Sequence, residues 1–252
     1  TGLIGAWLAA VLLIPRVYQL SVDKNLFTFP QIFEYFYDKK VALVAALISL
    51  IGYTGFTSSQ LLAGAKLAAA TFTDLNIQSA LLLMGSIAVI YTVMGGLKAV
   101  IYTDTIQWII LMGGLIFIGI PLGFATIGGM EGIRSTIGPE FLALDNITWV
   151  TFINWMVTII PIWFVGMTLY QRIYACRDEK TAKKAWFIAG LFEYPVMAFM
   201  GVLLGLFARV ALLQGMFTAE GYATLHGLDN EMGLPLLLKT ILPFGLMGLF
   251  MS

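Results

Sequence analysis

The stretch YTVMGGLKAVIYTDTIQ, residues 91–107, interrupts two long apolar runs with two glycines, a lysine and an aspartate. Glycine ends helices readily, and charged side chains avoid hydrocarbon. The pattern therefore predicts a polar turn between two apolar helices, the first of which ends at Gly95 and Gly96. Lys98 then lies at the polar surface, and Asp104 begins the second helix, where the exposed amides favour an acidic side chain.

The composition of the whole chain indicates a membrane protein. Of its 252 residues 60% are hydrophobic and 11% charged, with a mean hydropathy of +0.90, whereas soluble domains are about 45–50% apolar. The 14 basic and 14 acidic side chains balance, so no basic surface favours a nucleic-acid partner. The chain begins at Thr1 and stops within an apolar run, which predicts a piece of a longer protein.

Apolar stretches long enough to cross a bilayer, about 20 residues each, recur along the chain. Runs such as VALVAALISLI are apolar on every face, which favours helices over the alternating strands of a barrel. We therefore predict an all-α polytopic membrane protein with six spans and the start of a seventh in one transport domain, 1–252. The predicted spans are residues 2–20, 40–73, 78–97, 103–127, 150–175, 182–213 and 241–252.

The distribution of lysine and arginine predicts the orientation of these spans. Ten basic residues lie at the ends of the spans on one side, and only three lie at the ends on the other. Because basic residues accumulate on the cytoplasmic side, the loops 21–39, 98–102 and 176–181 are predicted to be cytoplasmic. The chain is then a multi-pass protein of the plasma (inner) membrane.

Residues 91–107 resemble the signature hairpin of the sodium:solute symporter family, Tyr-x-x-x-Gly-Gly-Leu-x-Ala-Val-x-x-Thr-Asp-x-x-Gln. The resemblance extends in the same order over essentially the whole chain. It includes FTFPQIFEYFYDKK at 27–40, TLYQRIYACRDEKTAKKA at 168–185 and ILPFGLMGLF at 241–250.

This resemblance implies a leucine-transporter-type fold of two inverted five-helix repeats, with the chain supplying core helices two to the start of eight. It also implies sodium as the coupling ion and a small polar solute as the cargo. Asp104 matches the family aspartate that lines the inward sodium path or helps to form a second sodium site. A cap and anchor for its own helix is the alternative role for Asp104.

The fifth predicted span contains Pro161 and Gly166. Proline removes a backbone hydrogen bond and clashes with the preceding turn, so we predict an interruption near 158–166. Transporters of this architecture bind their cargo where a helix is broken. By the resemblance, Trp163 then lines the solute site, whereas the alternative is a simple kink without a site.

Glu193 lies ten residues beyond the basic edge of the sixth predicted span, or about 15 Å of helix, and therefore near mid-membrane. A carboxylate at that depth is costly and normally paired or functional, so we predict that Glu193 contacts the solute or a cation. A protonated or internally paired carboxyl is the alternative. By the resemblance, its counterpart in sugar-transporting family members is a lysine, and the asparagine expected one helix earlier is Ile159 here, so a galactose-like solute is disfavoured.

The second predicted span has a polar midsection in which Tyr53 and Thr57 lie one turn apart on the same face. By the resemblance, Tyr53 matches an aromatic near the solute cavity, and we predict that both residues contact the solute. Hydroxyl groups bonded to their own helix are the alternative. Lys66, further along, either pairs with Glu193 or extends toward the outer surface.

The residues together favour a sodium-coupled secondary symporter that imports a small polar solute by alternating access. The sequence contains no phosphate-binding Gly-rich loop, nucleophile elbow or paired carboxylates at water-activating spacing, so an enzyme is not predicted. Two alternatives stay open at this point. One is a proton-coupled carrier, and the other is a polytopic membrane module without transport activity.

Overall fold

The computed structural model of the chain describes residues 1–72, 75–141, 143, 147–222, 229–243 and 245–247. These residues form helices and turns, without a β-strand among them, which confirms the all-helical prediction. The helices are α1 Gly2–Lys24, α2 Phe29–Phe36, α3 Lys39–Thr71, α4 Ile77–Thr126, α5 Gly129–Thr136, α6 Trp149–Val165, α7 Met167–Tyr174, α8 Glu179–Leu213 and α9 Gly233–Ile241.

Within these described ranges, α1, α3, α4 and α8 are each long and apolar enough to cross a membrane. The pair α6 and α7, bent by 43°, passes the same test when the two helices are taken together as one broken span. The described residues therefore have the helices of a polytopic membrane protein. Of the predicted seventh span, residues 244 and 248–252 lie outside the described part, and the helix that precedes it ends at Ile241.

The predicted turn in 91–107 reduces to one residue in the structure. Gly96 has φ 59° and ψ −163°, which are not helical angles, within the apolar run Ile77–Thr126. The predicted loop 98–102 is wrong because those residues are helical. Glycine reaches a positive φ without strain, so one residue is enough to end a helix and start the next. Asp104 consequently lies two turns inside the second helix rather than at its start.

The run Ile77–Thr126 is 50 residues long, about 75 Å if it were straight, whereas the hydrocarbon core of a bilayer is about 30 Å thick. The break at Gly96 divides this run into residues 77–95 and 97–126, which overlap the predicted spans 78–97 and 103–127. That each segment crosses the membrane separately stays a prediction.

We expect Gly96→Ala to lower the free energy of unfolding by about 1–3 kcal/mol, because the backbone angles of Gly96 are open almost only to glycine. No atom within 4 Å would meet the added methyl group, so the loss is one of backbone strain alone. The measurement is denaturant unfolding of the purified protein.

Gly85 supplies the matched control in the first segment of the same helical run. It is helical, and a Cβ atom there also meets nothing within 4 Å. Gly85→Ala should therefore leave stability unchanged or raise it by up to about 1 kcal/mol. Equal effects of the two substitutions would contradict the assignment of the break to Gly96.

Polar side chains cap the starts of several helices, as local sequence favours. In each case a side-chain oxygen accepts a hydrogen bond from the backbone N–H three residues later. These pairs are Asp38 with Val41 (2.8 Å), Asn76 with Ser79 (2.8 Å), Thr148 with Thr151 (3.2 Å) and Asp178 with Thr181 (2.7 Å). For Asp178 the backbone hydrogen bond from Thr181 also lowers the pKa of the carboxyl group.

Three π-helical turns widen the long helices where the sequence places proline. A wider turn accommodates a residue that cannot donate a backbone hydrogen bond. The turns are Ala9–Leu13 before Pro15, Leu115–Gly119 before Pro121, and Phe192–Ala198, which contains Pro195. The last of these also contains Glu193.

The chain divides into two compact units, and the first comprises residues 1–55 and 144–199. Small residues of α1 allow α6, α7 and the first half of α8 to approach closely in this unit. The Trp7 indole N–H donates to the Phe187 carbonyl at 3.1 Å, and Phe29 of α2 packs on Tyr170 of α7 with ring centroids 4.8 Å apart. The buried cluster consists of Ala6, Ala9, Ala10, Ile14, Ile173, Ala182 and Trp186.

The second unit comprises residues 56–143 and 200–252. Its core is the buried face of the last part of α8, which packs against the end of α4 and against α9. Phe207 contacts Phe124 with ring centroids 6.0 Å apart and lies against Gly123. The largest fully buried side chains of this unit are Ile127, Leu204, Phe207, Val210, Phe217, Leu236 and Leu237.

Candidate functional site

The apolar segment formed by α6 and α7 is broken at Gly166. Its φ of −67° and ψ of 106° are extended, and they separate α6 from α7. The helix continues through Pro161 and ends at Val165, so the interruption lies five residues after the proline. Proline alone removes one hydrogen bond and leaves the neighbouring ones intact, whereas the extended Gly166 redirects the chain.

Tyr53 of α3 contacts the start of α7 directly. The backbone N–H of Thr168 donates to the Tyr53 hydroxyl at 3.1 Å, and the Tyr53 hydroxyl lies 3.3 Å from the Thr168 hydroxyl. The first N–H groups of a helix have no partner within that helix. Tyr53 therefore caps α7 from a neighbouring helix and holds the break in place.

Trp163 and Glu193 both lie against the first turns of α1. A Cβ atom built on Gly5 would overlap the Trp163 indole, and one built on Gly2 would overlap the Glu193 carboxylate. Both side chains are half-buried. The structure thus brings Tyr53, Trp163 and Glu193 into the first unit, together with the break at Gly166.

The remaining predicted site residues belong to the second unit. Thr57 is exposed on α3, one turn after Tyr53, and Asp104 is half-buried on α4. Because Asp104 lies two turns beyond Gly96, the dipole at the helix start, which acts within the first turn, does not account for an acid at this position.

Lys66 contacts two acidic residues of the segment that precedes α9. Its ammonium group lies 2.6 Å from a carboxylate oxygen of Asp229 and 2.6 Å from one of Glu231. The hydrogen bond from Lys66 is the main reason that the pKa of Asp229 is lowered. Lys66 therefore extends toward the predicted outer loop, and its partners are these acids rather than Glu193.

The family model of the sodium:solute symporter family matches residues 1–252 of the chain. The chain belongs to this family. Its similarity to individual curated proteins extends over more than half of its length. It is 26% identical to a sodium/glucose cotransporter of Vibrio parahaemolyticus over 81% of the chain, and 29% identical to a human sodium/iodide cotransporter over 75%. It is also 31% identical to an osmoregulated proline transporter of Bacillus subtilis over 57% of the chain.

The chain covers only part of these symporters. It corresponds to 41% of the Vibrio parahaemolyticus protein, 30% of the human protein and 28% of the Bacillus subtilis protein. The match confirms the family resemblance of residues 91–107 and of the other quoted segments. The family consists of transporters rather than enzymes.

Three residues of the candidate site were not predicted from the sequence. Thr168 supplies the N–H that Tyr53 caps, and Gly2 and Gly5 supply the surface against which Glu193 and Trp163 lie. The spacing of Gly2 and Gly5, three residues apart at the start of an apolar helix, was the available signal for close packing. Nothing in the sequence around Thr168 indicates a partner 115 residues earlier.

We expect Tyr53→Phe to loosen the start of α7, because it removes the hydroxyl that accepts from Thr168 N–H. A hydrogen bond of this kind stabilises by about 0.5–1.5 kcal/mol, so amide hydrogen exchange in 166–174 should become about 2- to 12-fold faster. Tyr91→Phe on α4 is the control, since Tyr91 is exposed and belongs to the other unit. Unchanged exchange in Tyr53→Phe would contradict the capping role.

Proposed function

We propose that the protein that contains this chain is a sodium-coupled secondary symporter, which imports a small polar solute by alternating access. Membership of the family supports the coupling ion. The break between α6 and α7 is the structural observation that supports a transport site, because it exposes backbone polar groups within a membrane crossing. Tyr53 holds these groups in a defined position.

The proposal includes the fold and location that the sequence predicts. We take residues 1–252 as part of a single transport domain with leucine-transporter-type inverted repeats, in the plasma (inner) membrane. Loops 21–39 and 176–181 are cytoplasmic, and so is the helical segment 98–102 after Gly96. The basic residues near these segments support this orientation.

The site residues have separate roles in this proposal. Tyr53, Thr57, Trp163 and Glu193 form the solute site, Tyr53 by positioning α7. Asp104 contributes to the sodium path, because a hard cation prefers oxygen ligands and a carboxylate inside a membrane helix is costly without such a role. Its position two turns inside the helix supports this role over that of a helix cap.

The names of the relatives include glucose, iodide and proline as cargo. One family therefore transports neutral, anionic and zwitterionic solutes. Family membership supports a small polar solute for this protein and leaves its charge to be argued from the site.

Uptake by the full-length protein in proteoliposomes tests the proposal. Labelled sugars, amino acids, carboxylates and amines are supplied with an inward sodium gradient, with a proton gradient alone, or with neither. We expect accumulation of at least one solute only with the sodium gradient. Accumulation driven by protons alone would support a proton-coupled carrier instead, and no accumulation with any gradient would support a membrane module without transport activity.

A further inference from the structure

The segments that pack together in the first unit contain a single charged side chain. Residues 2–15 of α1, 149–171 of α6 and α7, and 185–199 of α8 include no lysine, arginine or aspartate, and Glu193 is their only glutamate. The nearest basic residue on its own helix, Lys184, is nine positions away, or about 13 Å along the helix. These segments therefore supply no side-chain cation for Glu193, and the positive charge that acts on it is the α-amino group of Thr1, next to Gly2.

Among the described residues, the Glu193 carboxylate has no hydrogen bond or ion pair. It lies in the π-helical turn Phe192–Ala198 and against the backbone of Gly2. π-helical turns frequently occur at functional sites. An intramembrane carboxylate is costly unless a positive charge or a proton neutralises it. No side chain of these segments neutralises the Glu193 carboxylate, which leaves it available to a cationic group of a ligand.

Trp163 lies beside this carboxylate along α1. Gly2, which contacts Glu193, and Gly5, which contacts Trp163, are three residues apart on one side of the helix, with a rise of about 4.5 Å between them. Glu193 and Trp163 thus flank the same side of α1, and both are half-buried rather than enclosed. A negative group and an indole ring therefore lie against neighbouring turns of α1, and the indole is three residues before the break at Gly166.

This pair of groups favours an organic cation over a metal ion. Sodium and other hard cations prefer several oxygen ligands, whereas nowhere in the described part of the chain do three His, Cys, Asp or Glu side chains come together. An alkylammonium group instead combines attraction to a carboxylate with attraction to the face of an indole, which is the best aromatic partner for a cation.

We propose that Glu193 and Trp163 bind the ammonium group of the transported solute, so that the cargo is an organic amine. This inference rests on the proposed function, because it assigns the substrate class of that same solute site. The packed segments contain no basic side chain that would bind an anionic group of the solute.

Binding to the full-length protein in nanodiscs tests the inference by calorimetry without requiring transport. The probes are (2-hydroxyethyl)trimethylammonium and its neutral carbon isostere 3,3-dimethylbutan-1-ol, with a primary amine, ethanolammonium, as a third. In sodium chloride we expect at least one ammonium probe to bind about tenfold or more tightly than the neutral isostere. Glu193→Gln should weaken ammonium binding by about tenfold or more, and Trp163→Leu should weaken it several-fold.

Glu131→Gln is the matched control, because Glu131 is exposed on α5 in the second unit, and it should leave ammonium binding unchanged. Thermal stabilisation by sodium shows that each variant is folded. If Glu193→Gln does not fold, Trp163→Leu provides the test.

Two results would overturn the inference while leaving the proposed function intact. One is equal affinity for the ammonium probes and the neutral isostere, and the other is sodium-driven uptake of neutral or anionic solutes alone. Absence of sodium-dependent uptake of every solute would instead overturn the proposed function.

Discussion

Asp104→Asn in the full-length protein should raise the sodium concentration for half-maximal uptake by about tenfold or more. The substitution keeps the size of the side chain and removes the negative charge that attracts a hard cation in a membrane helix. If Asp104 is instead a helix cap, the substitution should lower the stability of the protein and leave the sodium dependence of uptake normal. The measurement is the sodium dependence of initial uptake rates in proteoliposomes.

Asp23→Asn provides the control for this experiment. Asp23 is exposed near the end of α1, so its replacement should leave the sodium dependence unchanged. If Asp104→Asn transports with the sodium dependence of the unmodified protein, Asp104 has no part in the cation path.

The second large effect is expected for Gly5→Leu, which should destabilise the protein by about 3 kcal/mol. A Cβ atom at Gly5 alone would overlap the Trp163 indole, and Gly5 is buried. To remove this overlap with the Trp163 indole, α1 and α6 have to separate, and packing in the first unit is then lost. The measurement is thermal unfolding of the purified protein, together with its yield.

Gly52→Leu is the matched control, because Gly52 belongs to the same unit and a Cβ atom there meets nothing within 4 Å. This substitution should have a small effect on stability. Similar losses in the two variants would show that the close approach of α1 to Trp163 does not determine the stability of this unit.

Much of the fold was predictable because hydropathy reports membrane helices directly. The apolar runs predicted the long apolar helices, and the signature at 91–107 predicted the family. The helix boundaries were less predictable. The sequence suggested a loop at 98–102, whereas the structure breaks the helix at Gly96 alone and residues 98–102 are helical. The helix break lies at Gly166, at the end of the predicted range 158–166, whereas α6 passes through Pro161.

The candidate site was predictable only where a single residue is unusual by itself. Glu193 is the one charge in a long apolar segment, so its burial cost is visible in the sequence. The contact of Tyr53 with Thr168 depends on how two distant helices pack, and local patterns contain no information on it. The same applies to the contacts of Gly2 and Gly5, which join the start of α1 to α6 and α8.

The contact between Phe29 and Tyr170 has a mechanical consequence. Tyr170 lies four residues beyond Gly166, about 6 Å along α7, and its ring supports Phe29 at the start of α2. A tilt of α7 about Gly166 therefore moves α2, which links the ends of α1 and α3. Packing of Tyr170 on Phe29 thus couples a rotation of α7 about Gly166 to a displacement of α2 at the predicted cytoplasmic surface.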